Sequence, residues 1–258
     1  MTTPSRALAS CAIATVVLLS GCSESAPDSA GQAPIGSVAL SGTDPAICDH
    51  FASQPIRPDA PVTPVVVDRT GSARILDLSP ALAPVMAQIQ SAGAVIQPIG
   101  VNGTGVTPTV GTPIALDPAP NKTSRNSDQE RSAALGCVQG WLSTPATLPV
   151  GDNTDLLAAL AAASRQQPSN IVVVSDGVHS TSDLNLADPS VDPQAASDRV
   201  RANGLVIALP GVQVDWFNLA ETTPPLSEPH RRTVTDFWSA IFGGDLHLHT
   251  RTGTDAGK

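Results

Sequence analysis

The chain has 258 residues and a formal net charge of −9 at pH 7. Lysine occurs only at Lys122 and Lys258, so the surface lacks the basic face that nucleic-acid phosphates demand. The same balance argues against electrostatic adhesion to anionic lipid headgroups; it favours solubility and leaves the partner open.

The N-terminus carries Arg6 and then an apolar stretch over residues 7–19. That is shorter than the roughly 20 apolar residues a membrane-spanning helix needs, and it has the proportions of a secretory signal. It closes on Leu19-Ser20-Gly21-Cys22, which resembles the lipobox of bacterial lipoproteins. The resemblance implies a signal peptide over residues 1–21, cleavage before Cys22, and a diacylglycerol thioether on that cysteine, usually with an acyl chain on the new amino group. Two or more chains anchor stably where one binds marginally. The expected location is the extracytoplasmic face of a membrane. Cys11 then leaves with the signal and Cys22 is lipidated, so Cys48 and Cys137 remain. An even pair in an oxidising compartment reads as one disulfide; two free thiols or a metal pair are the alternatives, and no CxxC or Cys-His cluster supports the metal.

Residues 22–45 are rich in Ser, Ala, Pro, Gly and Asp without periodicity, a composition that cannot bury a core and reads as a flexible tether. About 20 such residues have a root-mean-square reach of about 25 Å. From position 46 to 246 the pattern becomes one of alternating strands and helices. Residues 62–67 form a β-branched run ending at Asp68, a buried strand. Residues 79–92 predict a helix, with Leu82, Val85, Met86 and Ile89 on one face and Ser79-Pro80 at its start. Strands are expected at 94–99 and 112–116, a loop at 117–127, and a helix at 128–142 carrying Cys137 and Trp141. A helix opened by Asn153 or Thr154 runs over 156–165, and Asn170 to Ser175 reads as a central buried strand. A polar loop at 183–193, a helix at 195–202, a strand at 205–209 and a helix at 228–242 complete the pattern. Residues 247–258 read as a polar tail. This alternation predicts an α/β fold, a mostly parallel central sheet with helices on both faces in three layers.

In such sheets ligands gather at the carboxyl ends of the strands. Three segments fall there: Asp68-Arg69-Thr70-Gly71-Ser72, Gly151-Asp152-Asn153-Thr154-Asp155, and Ser175-Asp176-Gly177. Together, in this order, they resemble the metal-ion-dependent adhesion site of von Willebrand factor A (VWA) domains. Asp68, Thr70 and Ser72 match the family's Asp-x-Ser-x-Ser motif, with Thr in place of the first Ser. Thr154 matches the loop threonine, and Asp176 the acid of the Thr/Ser-Asp-Gly turn. The resemblance implies Mg²⁺ (or Mn²⁺) held by Asp68, Thr70, Ser72, Thr154 and Asp176, with an open position for an acidic group of a partner. Carboxylate and hydroxyl oxygens suit that hard ion independently of any family.

The plainer reading keeps the fold and drops the metal: Asp68, Thr70 and Ser72 satisfy local backbone groups, and Asp176-Gly177 is only a turn. Asp152 and Asp155 read as helix-start acids rather than ligands. His179 reads as a solvent-facing loop residue, and His247 with His249 as a two-ligand pair too sparse for a transition metal. Trp216, Phe217, Phe237 and Trp238 read as core or docking residues. Enzyme signatures such as Gly-x-Ser-x-Gly, HExxH or a Walker lysine are absent from the sequence. The expected function is therefore a lipid-anchored, non-enzymatic interaction module for a protein or an acidic envelope ligand. The alternatives are a structural envelope lipoprotein with a silent metal site, or a metal-dependent hydrolase.

Overall fold

The computed structural model describes residues 45–68, 79–101, 107–117, 125–143, 153–205 and 209–249. All of them belong to one compact unit, Leu40–Lys258. Cys22, Thr70, Ser72 and Asp152 lie outside the described residues.

The described strands are β1 (Val62–Asp68), β2 (Val95–Val101), β3 (Thr109–Val110), β4 (Ile114–Ala115), β5 (Asn170–Val174), β6 (Gln213–Phe217) and β7 (Leu246–His249). The helices are α1 (Pro45–Ala52), α2 (Ser79–Ser91), α3 (Arg125–Ser143), α4 (Leu156–Ser164), α5 (Pro193–Ala202) and α6 (Glu228–Phe242). The strands form one sheet in the order β3-β2-β1-β5-β6-β7, with β4 also pairing with β2. β2, β1, β5, β6 and β7 run parallel, while β3 and β4 run antiparallel to β2. This is the three-layer α/β architecture the alternating pattern predicts.

The consecutive valines show why the sheet is covered on both faces. Side chains of a strand alternate between faces, so a run without polar alternation must be buried twice. Val66 and Val173 enter a core with α4, α5 and α6. Val65, Val67, Val172 and Val174 enter a second core with α1, α2 and α3. Leu82, Val85, Met86 and Ile89 of α2 are all buried in that second core, as their helical spacing predicts. Cys48 on α1 is joined to Cys137 on α3 by a disulfide across 89 positions, with the Cα atoms 5.4 Å apart. It staples the first described helix to the third.

Three expectations are corrected. The strand paired with β5 on the side away from β1 is Gln213–Phe217; of the strand expected at 205–209, residues 206–208 lie outside the described residues, while Leu205 and Leu209 lie in no strand. Asp215 breaks the apolar run of the true strand and hides it from pattern reading. Of the polar tail expected over 247–258, residues 247–249 instead belong to β7, an edge strand parallel to β6, and the remainder lies outside the described residues. Thirdly, the strand expected at 112–116 is present but shortened to β4, and a further short segment, β3, precedes it; each is antiparallel to β2.

Candidate functional site

β1 leads onward to β2 on one side, while β5 lies on its other side, so the gap between the carboxyl ends of β1 and β5 is a topological switch point. Parallel register sets Val67 beside Val174. The next residues, Asp68 and Ser175, therefore stand side by side at this gap. The Ser175 hydroxyl donates to Asp68 Oδ2 at 2.7 Å, and its oxygen accepts the Gly177 N–H at 2.9 Å. Asp176 Oδ1 accepts the Val178 N–H at 2.9 Å. Asp68, Ser175 and Asp176 are all buried.

Two tryptophans hold this turn from below. Trp216 Nε1 on β6 donates to the Ser175 carbonyl at 2.8 Å, and Trp238 Nε1 on α6 donates to the Gly177 carbonyl at 2.9 Å. Their rings pack together at 4.7 Å in the core. The Ala220 N–H donates to the Asp176 carbonyl at 2.8 Å. Gly177 has φ +75°, and a Cβ there would run into Leu219 Cδ1 and lie 2.9 Å from Trp238 Nε1. A glycine is thus required twice, by backbone conformation and by space. Trp216 and Trp238 are core residues, as expected, but with an added role in fixing the turn.

Thr154 lies just before α4 and is buried. Its N–H donates to Ser180 Oγ and its carbonyl accepts the Ser180 N–H, both at 2.9 Å. This reciprocal pair fastens the Thr154 segment to the loop that follows Asp176. Asp155, rather than Asn153 or Thr154, caps α4: its Oδ1 accepts the Ala158 N–H at 2.9 Å. An acid there also suits the positive end of the helix dipole.

His179 overturns its expected exposure. It is 1% exposed. Its Nδ1 accepts the Leu156 N–H at 3.1 Å, which places the proton on Nε2, facing Thr181 Oγ1 at 3.1 Å. Burial pushes its pKa down to about 4, against the opposing pull of Asp155 and Asp183. A neutral imidazole thus stitches the first turn of α4 to the loop after Asp176. The loop read as simply polar also contributes core: Leu184 and Leu186 are buried, and the Leu186 carbonyl lies 2.7 Å from His230 Nε2 on α6.

The structure therefore brings Asp68 and the Ser175-Asp176-Gly177 turn together, and ties Thr154 to the segment following that turn. Ser175 stands at the strand ends in the sequence reading, though not as the partner of Asp68, and His179 is read there as a solvent-facing loop residue. Ser175 was visible as the first residue of a Ser-Asp-Gly turn; for His179 no local signal existed. The donors among the described residues are carboxylate and hydroxyl oxygens, a set suited by type to a hard divalent cation. No group of three or more His, Cys, Asp or Glu side chains placed to hold a metal occurs among the described residues. An adhesion-type site would therefore draw on hydroxyls as well as the two acids. A scan of the chain against protein-family models gave no match, and a comparison with curated proteins likewise gave none.

Proposed function

We propose that this chain is a lipid-anchored, extracytoplasmic interaction domain of the VWA type, which engages a protein or an acidic envelope ligand at the strand-end face through Mg²⁺ or Mn²⁺. The observation that carries the reading is the Ser175–Asp68 hydrogen bond at the switch point, which joins two segments 107 positions apart into one acidic, hydroxyl-bearing site. Asp68, Thr154 and Asp176, with Thr70 and Ser72 from the Asp68 motif, would hold the ion. When bound, the ion would present a Lewis-acidic position to a carboxylate of the partner. The chain's own part is positioning: Ser175 orients the Asp68 carboxylate, Trp216 and Trp238 fix the turn, and Ser180 holds the Thr154 segment. Recognition without turnover needs no nucleophile or general base, and the reading assigns none.

The anchor rests on Leu19-Ser20-Gly21-Cys22. No helix among the described residues is long and apolar enough to cross a membrane. Affinity capture from native envelope, with and without chelator, tests the reading. Partners retained with Mg²⁺ and released by chelator are expected from the wild type, and Cys22→Ala should either release the protein to the medium or leave it as an unprocessed, unlipidated precursor. Chelator-insensitive capture would refute the metal-dependent mode, and a wild-type protein found wholly soluble with an unmodified N-terminus would refute the anchor.

A further inference from the structure

The core of β6 contains an unexpected charge. Asp215 sits between Val214 and Trp216, its side chain 4% exposed. A carboxylate in such a place is costly unless its oxygens are engaged. Gln213 Nε2 donates to Asp215 Oδ2 at 2.9 Å, which turns the other oxygen, Oδ1, toward β7. There His249 Nε2 lies 2.7 Å and His247 Nδ1 4.0 Å from that same oxygen. Parallel register sets His247 directly beside Asp215, and strand alternation puts His249 on the same face. The His249 ring is held flat against Phe217, centroids 4.4 Å apart and planes 10° apart. One nitrogen donor is thus fixed, one carboxylate oxygen is aimed, and the second imidazole is 49% exposed.

We propose that Asp215, His247 and His249 form a binding site for a borderline transition-metal dication such as Zn²⁺, distinct from the strand-end site. Nitrogen and oxygen ligands about 2.1 Å from a tetrahedral zinc are about 3.4 Å from each other. The two observed separations, 2.7 and 4.0 Å, bracket that value. As the side chains stand, His247 is too far off to complete a coordinating trio; rotation of its exposed ring closes the gap. Two imidazoles and one carboxylate leave a fourth position open to water or another ligand, and imidazole selects Zn²⁺, Cu²⁺ or Ni²⁺ over Mg²⁺. Gln213 then acts as the partner that orients the ligating carboxylate. Such an ion would fasten the edge strand β7 to β6.

The experiment is a Zn²⁺ titration of the detergent-purified full chain, followed by competition with a chromophoric chelator, and repeated with Co²⁺ for its visible ligand-field bands. One saturable equivalent is expected, undisplaced by excess Mg²⁺, with bands typical of nitrogen and oxygen ligands. His247→Ala alters an exposed side chain and should leave the fold intact by circular dichroism. It should weaken Zn²⁺ binding by at least about tenfold. His249→Gln should do the same. Absence of saturable Zn²⁺ binding in the wild type would overturn the proposal, leaving the trio as a hydrogen-bonded strand clamp. Binding unchanged in His247→Ala would place the ion elsewhere and overturn it equally.

Discussion

His179→Asn offers a direct view of how the strand-end loops are held. The buried ring has a pKa pushed down to about 4 from an ordinary 6.5. The folded state therefore keeps the ring neutral where the unfolded chain has already taken up a proton. Stability from this group is complete above about pH 6.5 and is lost as pH falls toward 4, below which it changes no further. A gap of about 2.5 pKa units, at about 1.4 kcal/mol each, makes the total loss about 3 kcal/mol. Asparagine offers a carbonyl oxygen to the Leu156 N–H in place of Nδ1 and does not titrate. Urea unfolding of both proteins near pH 7 and about pH 4.5 should show the wild type losing about 2 to 3 kcal/mol more than the variant. Parallel losses in the two proteins would refute the buried neutral imidazole.

Two further outcomes follow from the packing. Gly177→Ala forces a side chain into a left-handed backbone and against Leu219 and Trp238, and should cost roughly 2 to 4 kcal/mol in the same unfolding assay; a cost within experimental error would contradict the close approach. Reduction of Cys48–Cys137 releases a loop of 89 positions and should lower stability by about 4 to 5 kcal/mol in the chain-entropy model, while peptide mapping before reduction should find the two cysteines linked.

The sequence made the local elements legible where one periodicity ruled. Val62–Asp68 and Glu228–Phe242 stand where their patterns put them, because burial on two faces and on one helical stripe leaves a direct trace in residue order. What escaped was held by distant partners. Asp215 is tolerated inside β6 because Gln213 and His249 engage it, and no window of local sequence contains both the strand and its histidine. For the same reason residues 247–249 pass for a tail, since the alternating histidines find their partners on β6. His179 is buried through contacts to α4 and to Thr181, which polarity alone does not foretell. At the strand ends, the acids and the Ser-Asp-Gly turn were legible as a motif, whereas the two tryptophans that fix the turn lie 41 and 61 positions away from the carbonyls they hold.

The central claim is that the strand-end site binds a hard dication, and thermal unfolding in the presence of Mg²⁺ or Mn²⁺ tests it most directly. An ion that binds only the folded state adds about 2.7 kcal/mol at a hundredfold excess over its dissociation constant. Asp68→Asn keeps an acceptor for the Ser175 hydroxyl and removes only the charge, so it isolates the ion from the hydrogen bond. The account predicts a chelator-reversible rise in Tm for the wild type with millimolar Mg²⁺ or Mn²⁺, and no rise for Asp68→Asn. A wild type whose Tm ignores both ions, or an Asp68→Asn protein that responds as the wild type does, would contradict it.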